Sequence, residues 1–192
     1  MARRRGIRSV GRSGVRSPWP RRRSDASTLL PQKRASVKVT LRFAEPGDVP
    51  AISTIEKTAF PCPWPERALY GEIENDLATF KVLSLEGKVI GYYDLWICAD
   101  EAHLLNVAIA PRARRRGYGT VLVKDAIGEA ESRGCRRIVL EVRPGNCAAI
   151  SLYGEFGFKS VARWPRYYAN GEDADVMLKD LGVAPNTSKG AR

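Results

Sequence analysis

Residues 114–120 read Arg-Arg-Arg-Gly-Tyr-Gly-Thr, RRRGYGT, between an apolar run at 104–109 and a stretch with Leu122, Val123, Ala126, Ile127 and Ala130 on one helical face. A strand, a basic glycine loop and a helix start in this order suit an anion. The first N–H groups of a helix lack internal partners, the helix dipole adds positive potential there, and glycine lets a phosphate approach the backbone. Spacing excludes two phosphate loops. The string G-x-x-x-x-G-K-S/T does not occur, and Leu122 stands where a dinucleotide fingerprint needs its third glycine. What remains is R-x-x-G-x-G, fixed by Arg114, Gly117 and Gly119. Taken alone, these six residues read equally well as a solvated surface turn, so their neighbours decide.

Upstream, residues 37–43 alternate apolar and polar as a half-buried strand does, and Glu45-Pro46-Gly47-Asp48 opens a helix with Val49, Ile52, Ile55 and Ala59 at helical spacing. Three prolines within residues 61–65 force a loop before a second helix that runs to about residue 75. Residues 79–85 and 88–98 read as a hairpin turning at Glu86-Gly87. Downstream of the glycine loop come a helix with Gly134 at its C-terminal end, a buried strand at 138–142 and a helix capped by Asn146. Two strands near 158–166 and 173–180 complete the set, linked through Asn170-Gly171. The order β-α-α-β-β-β-α-β-α-β-β implies an α/β fold, a mixed, mostly antiparallel sheet of six to seven strands flanked by about four helices.

The chain of 192 residues fits one domain with tails. Its formal charge of +11 is unevenly spread: residues 1–36 hold ten Arg and one Lys against Asp25 alone, a net of +10, which leaves +1 for the remainder of the chain. A nucleic-acid-binding domain carries its basic stripe on the fold itself, so the high pI belongs to the leader. Residues 1–36 and 183–192 are expected to be disordered, with residues 37–182 forming the domain. The leader reads as an unstructured tail or over-extended start of translation, as an organelle transit peptide, or as an arm for RNA or the ribosome. Cys62, Cys98, Cys135 and Cys147 show no C-x-x-C pairing and His103 is the single histidine, so neither a metal site nor a disulfide framework is expected. No apolar run is long enough for a membrane span and no secretory signal is seen, so the expected setting is the cytoplasm.

The strand LLNVAIAP at 104–111, the loop R-x-x-G-x-G, the segment LEVRPGNCAAISLYGEFGF at 140–158 and Arg166-Tyr167-Tyr168 before Asn170-Gly171-Glu172-Asp173-Ala174 carry a resemblance. Over residues 37–181 the chain resembles the GNAT superfamily of acetyl-CoA-dependent N-acetyltransferases, and within it the N-terminal alanine acetyltransferases of ribosomal proteins. The resemblance implies the GNAT (acyl-CoA N-acyltransferase) fold, acetyl-CoA as co-substrate, no metal, and a protein N-terminus starting with Ala or Ser, such as that of a ribosomal protein, as substrate. It implies that the loop from Arg114 through Arg115, Arg116, Gly117, Tyr118 and Gly119 to Thr120 wraps the pyrophosphate with backbone N–H groups, which moves the weight from the arginines to Gly117 and Gly119. Val107, Ala108 and Ile109 would bond the pantetheine arm through their backbone, and Asn146 would touch the cofactor.

Glu141 interrupts the apolar run 138–142, and a carboxylate there is costly unless partnered or functional. The resemblance makes it the general base, and a bond to Arg143 or another cation is the structural alternative. Tyr153, seven residues from Asn146 on the same helix face, is by resemblance the acid that protonates the departing CoA thiolate, or otherwise a core aromatic. Phe60 and Trp64 of the proline loop, with Tyr167 and Tyr168, would wall the peptide groove or lid the core. His103 reads as structural or solvent-facing. An α-amine has a reference pKa of about 7.7–8.0 against about 10.4 for lysine, so a one-base site gains roughly 3.4 kcal/mol by choosing an N-terminus. A GNAT enzyme for lysine or a small amine is the alternative within the class, and an RNA- or ribosome-binding protein working through its arginine arm is the alternative outside it.

Overall fold

A computed structural model of the chain describes residues 38–182, so the arginine-rich leader and the segment from 183 onward lie outside the described residues. Seven strands and four helices alternate in the expected order. They are β1 (Val39–Phe43), α1 (Val49–Ala59), α2 (Glu66–Ile73), β2 (Ala78–Leu85), β3 (Lys88–Cys98), β4 (Glu101–Ile109), α3 (Tyr118–Ser132), β5 (Arg137–Val142), α4 (Cys147–Glu155), β6 (Lys159–Trp164) and β7 (Ala174–Asp180). The strands form one sheet in the order β1-β2-β3-β4-β5-β7-β6. Every pairing is antiparallel except β4 with β5.

Local chemistry sets the element ends. Glu86 and Gly87 both take positive φ, 51° and 79°, the backbone of a tight hairpin turn whose twist matches its strands. Before α1, residues Pro46–Asp48 make a separate short 3-10 turn, not a first helical turn. There the Asp48 carboxylate accepts from the Glu45 N–H (2.9 Å) and from Arg42, and the Arg42 guanidinium holds it below the usual carboxylate range despite burial. The helix α3 ends where the Cys135 N–H reaches the Ala130 carbonyl and Gly134 turns left-handed at φ 78°.

Two apolar cores lie on opposite faces of the sheet. One joins Leu83, Tyr93, Leu95, Leu104, Leu122, Ile138 and Tyr153 beneath α3 and α4; the other joins Ile52, Leu69, Val82 and Tyr92 beneath α1 and α2. A partly buried polar cluster ties α3 to the first face. Lys81 of β2 bonds Asp125 (3.0 Å) and Glu129, and the Tyr93 hydroxyl donates to Asp125 (2.7 Å). Satisfied on several sides, such a cluster fixes where the helix sits along the sheet. No helix among the described residues is long and apolar enough to cross a membrane.

Asp94 on β3 is fully buried against the Leu95 N–H and the Glu72 carboxyl, and neither of its carboxylate oxygens makes a well-aligned hydrogen bond among the described residues. Burial, reinforced by the charge of Glu72, pushes its carboxyl from 3.8 up to about 8. Between those values the folded chain keeps a proton that the unfolded chain has lost, so this group's contribution makes stability fall as pH rises. Asp94→Asn should therefore raise the unfolding midpoint at pH 8 by several degrees, at about 2–4 °C per kcal/mol, and by much less at pH 4. Thermal melts of both proteins check this; an equal shift at the two pH values would contradict it.

Candidate active site

The strands β4 and β5 are paired over three residues only, Glu101↔Arg137, Ala102↔Ile138 and His103↔Val139. Past that point they separate. On the other side of β4 the register with β3 steps from Leu95↔Leu104 to Asp94↔Asn106, which leaves Leu105 as an extra residue. A bulge of this kind bends a strand and strengthens its twist, turning β4 away from β5. The Ala110 N–H bonds the Ile90 carbonyl of β3 at 2.8 Å, so by strand alternation Ala108 also faces β3, while Val107 and Ile109 turn their backbone groups toward the open side. This corrects the expectation for Ala108: its polar backbone groups belong to the sheet, leaving Val107 and Ile109 for a ligand.

The split continues into the glycine loop. Arg115 and Gly117 take left-handed φ values of 62° and 79°, and Gly117 is the N-cap of α3 with no side chain capping the helix. The Val121 N–H makes the first intrahelical bond, to Gly117 O (3.2 Å), which leaves the N–H groups of Tyr118, Gly119 and Thr120 without an acceptor among the described residues. These open donors at a helix N-terminus fit a pyrophosphate. The three arginines differ in use. Arg114 donates through Nε to the Ile109 carbonyl (2.9 Å), so its side chain fastens the loop to the strand end, whereas Arg115 and Arg116 are exposed and form no ion pair among the described residues. A Cβ on Gly119 would meet only the Leu152 Cδ2 methyl at 3.2 Å; Gly117 meets nothing, but its φ excludes a β-branched side chain.

At the split lies a cavity of about 320 Å³ lined by Glu141, Tyr153, Asn146, Phe60, Trp64, Tyr167 and Tyr168 together with Leu104–Val107. An adjoining open hollow of about 790 Å³ runs past Val107, Ala108, Arg114 and Asn146. Glu141 is nearly buried, and its Oε2 stands 2.6 Å from His103 Nε2. The expected alternative partner, Arg143, is engaged elsewhere: it bonds Glu172 and Asn170 Oδ1 (3.3 Å), and its guanidinium lies 3.8 Å from the centre of the Tyr168 ring. Arg143 thus pins the β6–β7 connection that carries Tyr167 and Tyr168, whose rings meet edge-on at 5.1 Å. Tyr153 packs on Phe158 (5.7 Å between ring centres), and burial, with the neighbouring Tyr168, pushes its phenol well above the ordinary value. It is therefore a neutral proton donor at physiological pH. Asn146 caps α4, its Oδ1 accepting from the Ala149 N–H (3.3 Å), so its amide NH₂ is the group left for a ligand.

Sequence reasoning passed over Glu56 and set His103 aside. Glu56 is almost wholly buried, accepts the Trp64 N–H (2.7 Å) and bonds the Tyr92 hydroxyl, which anchors the proline loop over the cavity. Burial pushes its carboxyl up to about 7, opposed by the Trp64 N–H. The signal was present: Glu56 lies four residues after Ile52 and three before Ala59, on the apolar face of α1. His103 gave no comparable signal, because strand alternation does not reveal which residue of β5 stands beside it.

Residues 49–158, more than half the chain, match the model of the acetyltransferase (GNAT) family. The ribosomal protein bS18-alanine N-acetyltransferase of Salmonella typhimurium is 36% identical over 147 residues, covering 75% of this chain and 99% of the relative. Its Escherichia coli K12 counterpart is 35% identical over the same shares. The crystal structure of the ribosomal-protein-S18-alanine N-acetyltransferase from Escherichia coli superimposes with a TM-score of 0.71 at 32% identity, covering 79% of this chain and 99% of that one. Calorimetric titration with CoA should show Gly117→Val weakening binding by roughly tenfold or more, as a strained loop turns its donors away, with Arg116→Ala losing less than about threefold; equal losses would contradict binding through the backbone. The chain belongs to the acetyltransferase (GNAT) family, as its split sheet, its open helix start and its relatives agree, and it is an acetyl-CoA-dependent N-acetyltransferase.

Proposed function

We propose that the protein transfers the acetyl group of acetyl-CoA to the N-terminal α-amine of a protein that begins with Ala or Ser, ribosomal-protein-like in kind. The observation that carries this reading is the meeting of Glu141 and Tyr153 in one cavity walled by Phe60, Trp64, Tyr167 and Tyr168. The relatives, named for an alanine at the start of ribosomal protein bS18, support the substrate class. The proposed setting is the cytoplasm, where ribosomal proteins are made.

Acetyl-CoA supplies a thioester carbonyl as electrophile and a thiolate as leaving group. Val107 and Ile109 offer backbone groups along the split, and the N–H groups of Tyr118–Thr120 offer donors to the pyrophosphate. Glu141 takes one proton from the incoming ammonium and frees the amine lone pair for direct attack. Tyr153 gives its phenolic proton to the sulfur as the C–S bond breaks, the attacking nitrogen releases its second proton to solvent as the amide forms, and the proton held on Glu141 passes through solvent to the Tyr153 phenolate, which restores both groups. The proline loop and the tyrosine pair hold the first residues of the peptide. An α-amine is also easier to deprotonate than lysine by roughly 2.5 pKa units, which suits a single carboxylate base.

Mass spectrometry of Ala- and Ser-starting peptides incubated with acetyl-CoA tests the reading. Wild-type protein should acetylate the α-amine, while Glu141→Gln and Tyr153→Phe should each slow turnover by about 10²-fold or more. Acetylation of internal lysine or of small amines, with the peptide N-termini left free, would move the protein to another amine substrate.

A further inference from the structure

His103 is the chain's only histidine and stands at the last paired rung before β4 and β5 part. Its Nε2 is 2.6 Å from Glu141 Oε2, with the His103 side chain one-third exposed and that of Glu141 7% exposed. A carboxylate only accepts, so with Glu141 ionised this contact requires the proton on Nε2. The Glu141 Oε1 atom has no hydrogen-bond partner among the described residues. Arg143, the nearest cation in sequence, is committed to Glu172 and the Tyr168 ring, so the imidazole is the donor that holds this carboxylate.

We infer that His103 is the positioning residue of the catalytic base: its Nε2–H fixes Glu141 Oε2, leaves Oε1 for the incoming amine, and makes the strength of the base depend on the charge of the imidazole. This rests on the reading of Glu141 as base. A protonated imidazole puts a positive charge against the carboxylate and weakens it as a proton acceptor, whereas the neutral ring orients it without that cost.

The groups around the imidazole leave it this role. On its own strand Glu101 is bonded to Arg137. Opposite it on β3 stands Trp96, whose indole N–H is bonded to Glu72 of α2 (2.7 Å); Asp94, two residues from Trp96, is buried beside the Glu72 charge. Val139 of β5, its parallel partner, is uncharged. Tyr167 and Tyr168, from the β6–β7 connection, are raised chiefly by burial and further by the Glu141 charge, so both stay neutral. Among the described residues, only Glu141 bonds the ring.

The test uses the full chain without a histidine tag, as wild type and as His103→Leu, His103→Gln and Glu141→Gln. Peptide acetylation is followed from pH 5.5 to 9, with CoA affinity measured separately. His103→Leu should lower kcat roughly tenfold, less than the loss of a base costs, with CoA affinity and peptide KM nearly unchanged. His103→Gln, which keeps an N–H donor near the Nε2 position, should recover most of the rate that His103→Leu loses. In the wild type, the ring resonances of the one histidine should shift when Glu141 is replaced by Gln. The inference is overturned if Glu141→Gln is inactive while His103→Leu keeps wild-type kcat and an unchanged pH profile, since His103 would then be packing alone. An active Glu141→Gln would instead overturn the assignment of the base, and the inference with it.

Discussion

The whole site turns on the parting of β4 from β5 after three paired residues. A sheet that stayed zipped would spend the backbone groups of Val107 and Ile109 on its own ladder and leave no cavity between the strands. The extra residue at Leu105 opens the seam, and the segments on either side of it exploit the gap. Past the divergence β4 delivers the chain to the glycine loop, and β5 carries Glu141 to the lip and passes into the helix that bears Tyr153. One irregularity in pairing thus brings a free backbone edge, a donor-rich helix start, the Glu141 carboxylate and the Tyr153 phenol to one place.

An open seam is stable only if its flanks are held from outside, and polar contacts of varied burial do this at three points. Lys81 with Asp125, Glu129 and Tyr93 locks α3 to the face of β2 and β3, which fixes the direction in which the first helical N–H groups point. Glu56 holds the proline loop through the Trp64 N–H and the Tyr92 hydroxyl. Arg143 holds the tyrosine pair by bonding Glu172 and covering Tyr168. Each contact joins segments far apart in sequence, so each resists movement of one wall of the cavity relative to the sheet. Asp94 departs from the pattern: buried without a well-aligned hydrogen bond among the described residues, it weakens the fold as pH rises.

Much of this is legible in the residues. Apolar period and turn chemistry give the order of elements, the hairpin at Glu86-Gly87 and the Asn146 cap, because those signals are local. The glycine loop is legible for the same reason, and Glu141 is conspicuous as the one charge in the apolar run 138–142. The pairings are not legible. Nothing in the period of β4 says that a bulge sits at Leu105, that Ala108 rather than Val107 faces β3, or that Arg143 turns to Glu172 and leaves Glu141 to His103. These are decided by register between strands distant in sequence, and a shift of one residue exchanges the two faces.

In the proposed mode of binding the split sheet offers its own backbone to the cofactor as an edge. Residue-resolved amide hydrogen exchange with and without saturating CoA reads that edge amide by amide. Bound CoA should add protection at Val107 or Ile109 and across residues 118–120, with Ala108, already bonded within the sheet, unchanged. Protection absent from both the β4 edge and the start of α3, with CoA nonetheless bound, would contradict it.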